Sequence, residues 1–229
     1  MSESDSTLPL LRLMQITESS FPVGGYAYSH GLEWLTFERR VVDEATLAEL
    51  LRTFVAQTVR RQWLPAAAAA FRAKSIVQVL RTDSHFDASI SAAAERDSGR
   101  AMGMRLLEVS VAAFTDCSTG FLEEVTARRT PGQFAVAFGA LAREFAVREP
   151  DTLAALGFSL VSSVTQAAVR LGTIGPAAAA RLIANSAPTL ADAVQAVSIM
   201  RRPTFGAFAP GLELAAMLQP TLRFRMFAS

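Results

Sequence analysis

The sequence predicts an all-α fold, organised as a single-domain bundle of about ten helices. Apolar residues recur at helical spacing through most of the chain, and no run shows the sustained alternation typical of strands. Prolines, glycines and capping residues interrupt the pattern at intervals of a helix length. We predict a flexible N-terminal segment at 1–7, an all-α domain at 8–220 and a C-terminal tail at 221–229.

In the first half, Asp43 is a good N-cap candidate, and the alanine run at 66–70 favours a close-packed helix. Asp87 could cap a helix through Ala94, after a region opened by Asp83 or Ser84. The first three predicted helices run from Pro9 to about Ile16, from near Tyr26 to about Arg39, and from Asp43 to about Gln62. A break at Trp63-Leu64-Pro65 ends the third helix. The last predicted helix of this half ends at about Phe114.

In the second half, breaks are predicted at Thr119-Gly120 and Pro131-Gly132, and Pro150-Asp151 begins the most apolar helix. Residues 152–169 hold no charge, but the polar side chains of Ser159, Ser162, Ser163, Thr165 and Gln166 argue against a membrane span. We interpret them as the central helix of a bundle. The remaining predicted elements are helices at about 175–185 and 189–200 separated by Pro188, an irregular stretch at 201–211, and a short helix at about 212–218.

One stretch stands apart from this periodic pattern. It reads Phe-Pro-Val-Gly-Gly-Tyr-Ala-Tyr-Ser-His-Gly-Leu-Glu, from Phe21 to Glu33, and contains both tyrosines of the chain. Pro22 fixes its own φ, and Gly24 and Gly25 allow close backbone approach. The spacing alone predicts a tight turn that leads into an aromatic-rich helix.

This stretch resembles the N-terminal signature of the UreF family of urease accessory proteins, and three further regions resemble that family in the same order. The matching residues of the signature are Pro22, Gly24, Tyr26, Tyr28, Ser29, Gly31, Leu32 and Glu33. The other matches are Glu95, Arg96 and Ser98 with Met102 and Gly103; Phe138 and Gly139 followed by Arg170, Gly172 and Gly175; and a terminal Arg225-Met226-Phe227-Ala228-Ser229.

The resemblance implies an accessory protein that acts by binding, not an enzyme. It implies partnership with a UreD/UreH-type accessory protein, a UreG-type GTPase and the urease apoprotein, homodimerisation, and a part in GTP-dependent nickel insertion. We expect the Pro22–Glu33 region to face the GTPase or the dimer partner. We expect the tail, with Arg223, Arg225, Met226, Phe227 and Ser229, to pack on the UreD-type partner.

The chain also departs from the family pattern where the family carries histidines. It has Gln133-Phe134 before the Val-x-Phe-Gly element and Gln219-Pro220 before the terminal motif, and Pro176 follows Gly175 in place of a glutamine. The only histidines are His30 and His85, and no metal-ligand spacing exists. The sequence therefore predicts no metal ligand, cofactor or catalytic residue in this chain.

Composition limits the other function classes. A net charge of +1 argues against a nucleic-acid footprint, and a single cysteine, Cys117, with no secretory pattern at the start fits a cytoplasmic protein. The alternatives that stay open are a generic all-α interaction scaffold, a helical DNA-binding regulator and a metal-dependent helical-bundle enzyme. The regulator lacks a basic recognition helix, and the enzyme would need Glu-x-x-His motifs.

Overall fold

The computed structural model describes residues 7–25 and 28–228, and over these residues the chain is helical without any β-strand. This confirms the all-α prediction. Residues 1–6, Tyr26, Ala27 and Ser229 lie outside the described residues. The helices are α1 (Thr7–Thr17), α2 (Leu32–Phe37), α3 (Glu44–Thr53), a π-helical segment (Phe54–Trp63), α4 (Leu64–Phe71), α5 (Ile76–Ser89), α6 (Ala93–Ala113), α7 (Gly120–Thr126), α8 (Phe134–Glu144), α9 (Glu149–Arg170), α10 (Pro176–Ser198), α11 (Pro210–Leu218) and a 3₁₀ turn (Gln219–Thr221).

The centre of the bundle is formed by α4, α8, α9 and α10, which pack on one another. The alanine run predicted to be close-packed is buried in α4 and faces α8. A Cβ atom built on Gly139 of α8 would lie 2.2 Å from the carbonyl oxygen of Ala67. Gly139 therefore permits a helix contact that no larger residue could make. One continuous cluster of buried apolar residues extends from Leu13 to Phe227.

The predicted break at Trp63-Leu64-Pro65 is wrong, because α3, the π-helical segment and α4 form one continuous rod. Leu64 keeps helical angles (φ −63°, ψ −42°), and its N–H donates to the carbonyl of Val59, five residues earlier. Pro65 has no N–H to give to the carbonyl of Arg61. That carbonyl instead accepts the N–H of Gly206 at 3.0 Å. A distant loop thus supplies the missing donor and lets the helix continue past the proline.

The predicted separation of two helices at Pro188 is also wrong. Pro188 lies inside α10, which continues from Pro176 to Ser198. Leu182, on one side of the proline, and Leu190 and Val197, on the other, are all buried. Tertiary packing on both sides therefore outweighs the roughly 3 kcal/mol that an internal proline costs a helix.

Two aspartates predicted to begin helices lie instead within α5, so these predictions are wrong. Asp83 is fully buried and Asp87 nearly so. Asp83 accepts hydrogen bonds from the hydroxyl of Thr130 at 2.5 Å and from the N–H groups of Gly132 and Gln133 at 2.6 and 2.7 Å. It therefore caps the start of α8 across the bundle rather than the start of its own helix.

Other predicted boundaries agree more closely. Asp43 is the N-cap of α3 in a reciprocal capping box with Thr46. Helix α9 begins at Glu149 and ends at Arg170, and Gly172 follows with φ +72°. By length and composition α9 is apolar enough to cross a membrane, but 56% of its most apolar window is buried inside the fold. Such a helix is equally typical of a bundle core.

Candidate functional site: a latch and its flanking faces

In the Phe21–Glu33 stretch, residues 21–25 and 28–31 are irregular, and a short helix begins at Leu32. The helix predicted from near Tyr26 begins only at Leu32, because His30 and Gly31 both have positive φ, 54° and 79°. At Gly31 a Cβ atom would lie 2.8 Å from the backbone nitrogen of Ala216 in α11. Glycine is therefore required here twice, for its left-handed backbone and for the close contact. The contact brings the N-terminal motif against the last helix.

Behind this contact the N-terminal and C-terminal motifs form a buried hydrogen-bonded cluster, which we call the latch. The carboxylate of Glu33 accepts the backbone N–H groups of Met226 at 2.5 Å and Phe227 at 3.2 Å. Gln219 donates to the same carboxylate at 3.3 Å, and its side-chain oxygen accepts the hydroxyl of Ser29 at 2.9 Å. Both Ser29 and Gln219 are fully buried.

The aromatic ring of Phe227 completes the latch. Only 3% of Phe227 is exposed. The guanidinium of Arg170, at the end of α9, lies 4.4 Å from its ring centroid. This is a cation–π distance, and burial lowers the pKa of Arg170. Although we expect the tail to pack on the UreD-type partner, in this structure the ring of Phe227 packs on the core of its own chain.

The structure thus brings together predicted site residues from three of the four matching regions. The latch contains Ser29, Glu33, Arg170, Met226 and Phe227, and Gly31 supports it. Outside it, Pro22 is exposed, Gly24 adopts φ +77°, and Tyr28 is half-buried, with a pKa raised by burial. Arg223 and Arg225 are exposed on the tail.

The mid-chain residues predicted as motif positions have structural roles. Arg96 donates to the carbonyl of Ile90 at 2.7 Å and ties the start of α6 to the end of α5. Ser98 donates to the carbonyl of Ala94 at 2.6 Å. A Cβ atom on Gly103 would lie 1.9 Å from the carbonyl oxygen of Gly132, and Phe138 is fully buried beside Gly139. Gly175 is the N-cap of α10.

Glu95 lies beside one of the two histidines. Its carboxylate is 3.7 Å from Nδ1 of His30. His30 contacts the rings of Phe54 and Trp63. Among residues 7–25 and 28–228, no three His, Cys, Asp or Glu side chains are grouped so that they could hold a metal ion.

The glutamines that replace family histidines are both buried. Gln133 donates to the carboxylate of Asp87 at 2.8 Å and to the carbonyl of Arg96 at 3.0 Å. Burial raises the pKa of Asp87, but hydrogen bonds from Arg100 and Gln133 lower it more, and the net shift is downward. Gln133 joins α5, α6 and α8, and Gln219 joins the latch. No pattern in the sequence predicts the contact of Gln219 with Glu33.

The exposed large apolar side chains concentrate around the latch. We call the group on α2, α11 and the tail the C-terminal face: Phe37, Phe208, Leu214, Met217, Leu218, Phe224 and Met226. A second group, the α1–α9 face, comprises Leu8, Leu10, Leu11, Met14 and Phe158. Exposed large apolar side chains on neighbouring elements are candidates for interaction sites in folded proteins.

A cleft of about 740 Å³ lies between the N-terminal turn and α9. Val23, Gly25 and His30 line one side, and Phe158 and Arg170 line the other. The cleft therefore connects the α1–α9 face with the latch residue Arg170.

Comparison with known proteins identifies the family that has these features. The UreF family model matches residues 41–187. The chain belongs to the UreF family. It is similar to the urease accessory protein UreF of Paenarthrobacter aurescens (strain TC1), with 33% identity over 220 residues, 96% of this chain and 97% of the relative.

Two other UreF relatives give the same result. The protein of Arthrobacter sp. (strain FB24) is 32% identical over 220 residues, 96% of each chain, and that of Mesorhizobium japonicum is 30% identical over 231 residues, 100% of each chain. These relatives are named urease accessory proteins, so the chain belongs to an accessory family. The similarity includes both ends of the latch.

Proposed function

We propose that this chain is the UreF-type component of a urease maturation complex. It binds a UreD/UreH-type accessory protein and a UreG-type GTPase, and it regulates GTP-dependent insertion of nickel into the urease apoprotein in the cytoplasm. The observation that carries this proposal is the latch, in which motif residues from the two ends of the chain are buried together beside exposed apolar surface.

The C-terminal face is the proposed docking surface for the UreD/UreH-type protein. Met226 and Phe224 are 60% and 84% exposed, whereas Phe227 between them and the core is buried. The latch fixes the backbone of the tail through Glu33, so the neighbouring apolar side chains are presented in one arrangement. Preorganisation of this kind lowers the entropy cost of binding.

The α1–α9 face is the proposed homodimer surface. The Pro22–Glu33 turn at the edge of this surface is proposed to face the dimer partner or the GTPase. Helix α9 presents the exposed Phe158 and Gln166 with the half-buried Ser162 between them, and residues 152–169 hold no charge. Two copies related by a two-fold axis can bury such a surface against itself without desolvating an ion.

Co-purification with the two accessory partners tests the docking proposal. Deletion of residues 222–229 is expected to abolish association with the UreD/UreH-type protein. The double variant Leu218→Asp with Met226→Asp is expected to weaken this association, because Phe227 still keeps the tail packed. Ala187→Asp, at an exposed position of α10 outside the proposed docking surfaces, is the matched control. Unchanged association of the deletion variant would refute the tail assignment.

The dimer surface has a separate test. Phe158→Asp is expected to convert the dimer into a monomer by mass measurement in solution, whereas Phe37→Asp, on the C-terminal face, is expected to leave the mass unchanged. A wild-type chain that is monomeric at all concentrations, or a Phe158→Asp variant that stays dimeric, would refute this surface.

A further inference from the structure

One group of exposed apolar residues belongs to neither face. Ile76 and Val77 begin α5, and Ile199 follows α10; Val77 and Ile199 are 68% and 77% exposed. Three exposed cations flank them, Lys74 on one segment and Arg201 and Arg202 on the other. We call these six residues the cationic patch.

Arg72 joins the two segments of the cationic patch. Its guanidinium donates to the carbonyl of Ser198 at 3.0 Å and to that of Met200, and it is paired with the carboxylate of Glu149, with one contact of 2.7 Å. The hydrogen bonds to Glu149 raise the pKa of Arg72. Because Lys74 is two residues from Arg72 and Arg201 follows Met200, this anchor holds both cationic segments together.

The chain beyond the patch is also held in place. The N–H of Gly206 donates to the carbonyl of Arg61, and the ring of Phe205 packs edge-on against that of Phe86, 5.7 Å between centroids. The loop after α10 is therefore attached at both ends. Its exposed residues are presented on a fixed surface.

The three charged side chains of the patch have no acidic partner among residues 7–25 and 28–228. In the part of the chain that the structure describes, Lys74, Arg201 and Arg202 have no carboxylate within 4.0 Å, whereas Arg12, Arg100 and Arg181 are each paired with one. Glu149, the acid that Arg72 contacts, is already neutralised by it. A fixed apolar centre flanked by unpaired cations is complementary to a surface with an apolar centre and surrounding carboxylates.

We propose that the cationic patch is a third docking surface, and that it binds an acidic face of a protein partner through carboxylates around an apolar contact. This inference rests on the proposed function, because the partner is one of the three proteins of the maturation complex. Two copies of the chain do not pair here, because a two-fold axis would place like charges opposite one another. An anionic membrane fits less well, because membrane-surface helices bury a long amphipathic face with aromatic anchors, and this patch has three aliphatic side chains at helix ends.

The test compares affinities of the purified full-length chain for the UreD/UreH-type protein, the UreG-type GTPase and the urease apoprotein. Charge reversal by Lys74→Glu, Arg201→Glu and Arg202→Glu together is expected to weaken binding to one of them at least tenfold, with a smaller salt dependence than wild type. Val77→Ser with Ile199→Ser is expected to weaken the same interaction without changing its salt dependence. All five positions are exposed, so the melting temperature should be unchanged.

The charge-matched control is Arg52→Glu. Arg52 is also exposed and lies beside Ser186 of α10, about 20 Å along the helix axis from Ile199. Wild-type binding to all three proteins with unchanged affinity of the patch variants would overturn this inference alone. If the wild-type chain binds none of the three proteins, the proposed function is overturned as well.

Two other results would also overturn the inference. One is binding of wild type, but not of the charge-reversal variant, to phosphatidylserine–phosphatidylcholine vesicles with protein affinities unchanged. The other is a change in the oligomeric mass of the charge-reversal variant, which would identify a second copy of the chain as the occupant.

Discussion

Glu33 and Phe227 are joined by a hydrogen bond between residues 194 positions apart, in which the N–H of Phe227 donates to the Glu33 carboxylate at 3.2 Å. The ring of Phe227 is buried beneath the same contact and faces Arg170. Two chain ends that look unrelated in sequence are therefore one structural unit. The position of the exposed tail residues depends on an acid near the N-terminus.

Replacing Glu33 should release the tail. Glu33→Ala removes the acceptor of the Met226 and Phe227 amides, so these amides should exchange hydrogen faster and the free energy of unfolding should fall by about 1–3 kcal/mol. Hydrogen exchange of the C-terminal peptide measures this directly. Glu38→Ala, an exposed acid one turn later, is the control, and equal protection in both variants would show that Glu33 does not hold the tail.

Gly103 should not tolerate a side chain. In Gly103→Ala the new Cβ would lie 1.9 Å from the carbonyl oxygen of Gly132, and this backbone cannot move without displacing the start of α8. We expect a loss of about 1–3 kcal/mol or more in urea denaturation. At Gly206, in an exposed loop, nothing lies within 4 Å of a built Cβ, so Gly206→Ala should change stability by less than about 0.5 kcal/mol. Equal effects would contradict the close packing of α6 on the Pro131–Phe134 turn.

The buried Asp83 should be needed as an acceptor on both of its oxygens. Burial raises the pKa of Asp83, while its three hydrogen bonds oppose that shift. Asp83→Asn puts an amide donor against groups that are themselves donors, so stability should fall by about 1–3 kcal/mol. Ser84→Ala, on the exposed side of α5, is the matched control in the same denaturation experiment. A neutral Asp83→Asn variant would mean that the turn before α8 is held by other contacts.

Asp87 should contribute to acid sensitivity. Its pKa is lowered below the ordinary value of 3.8, so the folded state holds the ionised form more strongly than the unfolded state does. The stability that it contributes is present above pH 3.8 and is lost as the pH falls through the lower folded pKa. Asp87→Asn should therefore lose less stability than wild type on acidification below pH 3.8. Thermal unfolding at a series of pH values tests this, and identical slopes in wild type, Asp87→Asn and the exposed control Asp192→Asn would contradict it.

The sequence predicted the fold class and most of the helices because apolar periodicity and local capping decide them. It placed the Asp43 cap and the Arg170–Gly172 end correctly, since both depend on neighbouring residues alone. It failed at Pro65 and Pro188, where distant packing and the Gly206 donor outweigh a local penalty. Such compensation cannot be read from a local pattern.

The candidate site was predictable only in part. The motifs placed Glu33 and Phe227 in two stretches that resemble the same family. They did not predict that the two residues are in contact. Contacts between residues far apart in sequence depend on how the bundle closes, as the unexpected roles of Gln133 and Gln219 show. No sequence pattern predicted the cationic patch, because its two segments are far apart in the chain and Arg72 joins them only in the folded structure.

The central claim is that this chain works as a binding platform for the other accessory proteins. The most direct test measures the mass of the assembly formed when the chain is mixed with its UreD/UreH-type and UreG-type partners, with GTP and nickel present. We predict one stable complex containing all three proteins, and loss of the UreD/UreH-type protein when residues 222–229 are removed. Separate elution of the wild-type chain from both partners would contradict the account.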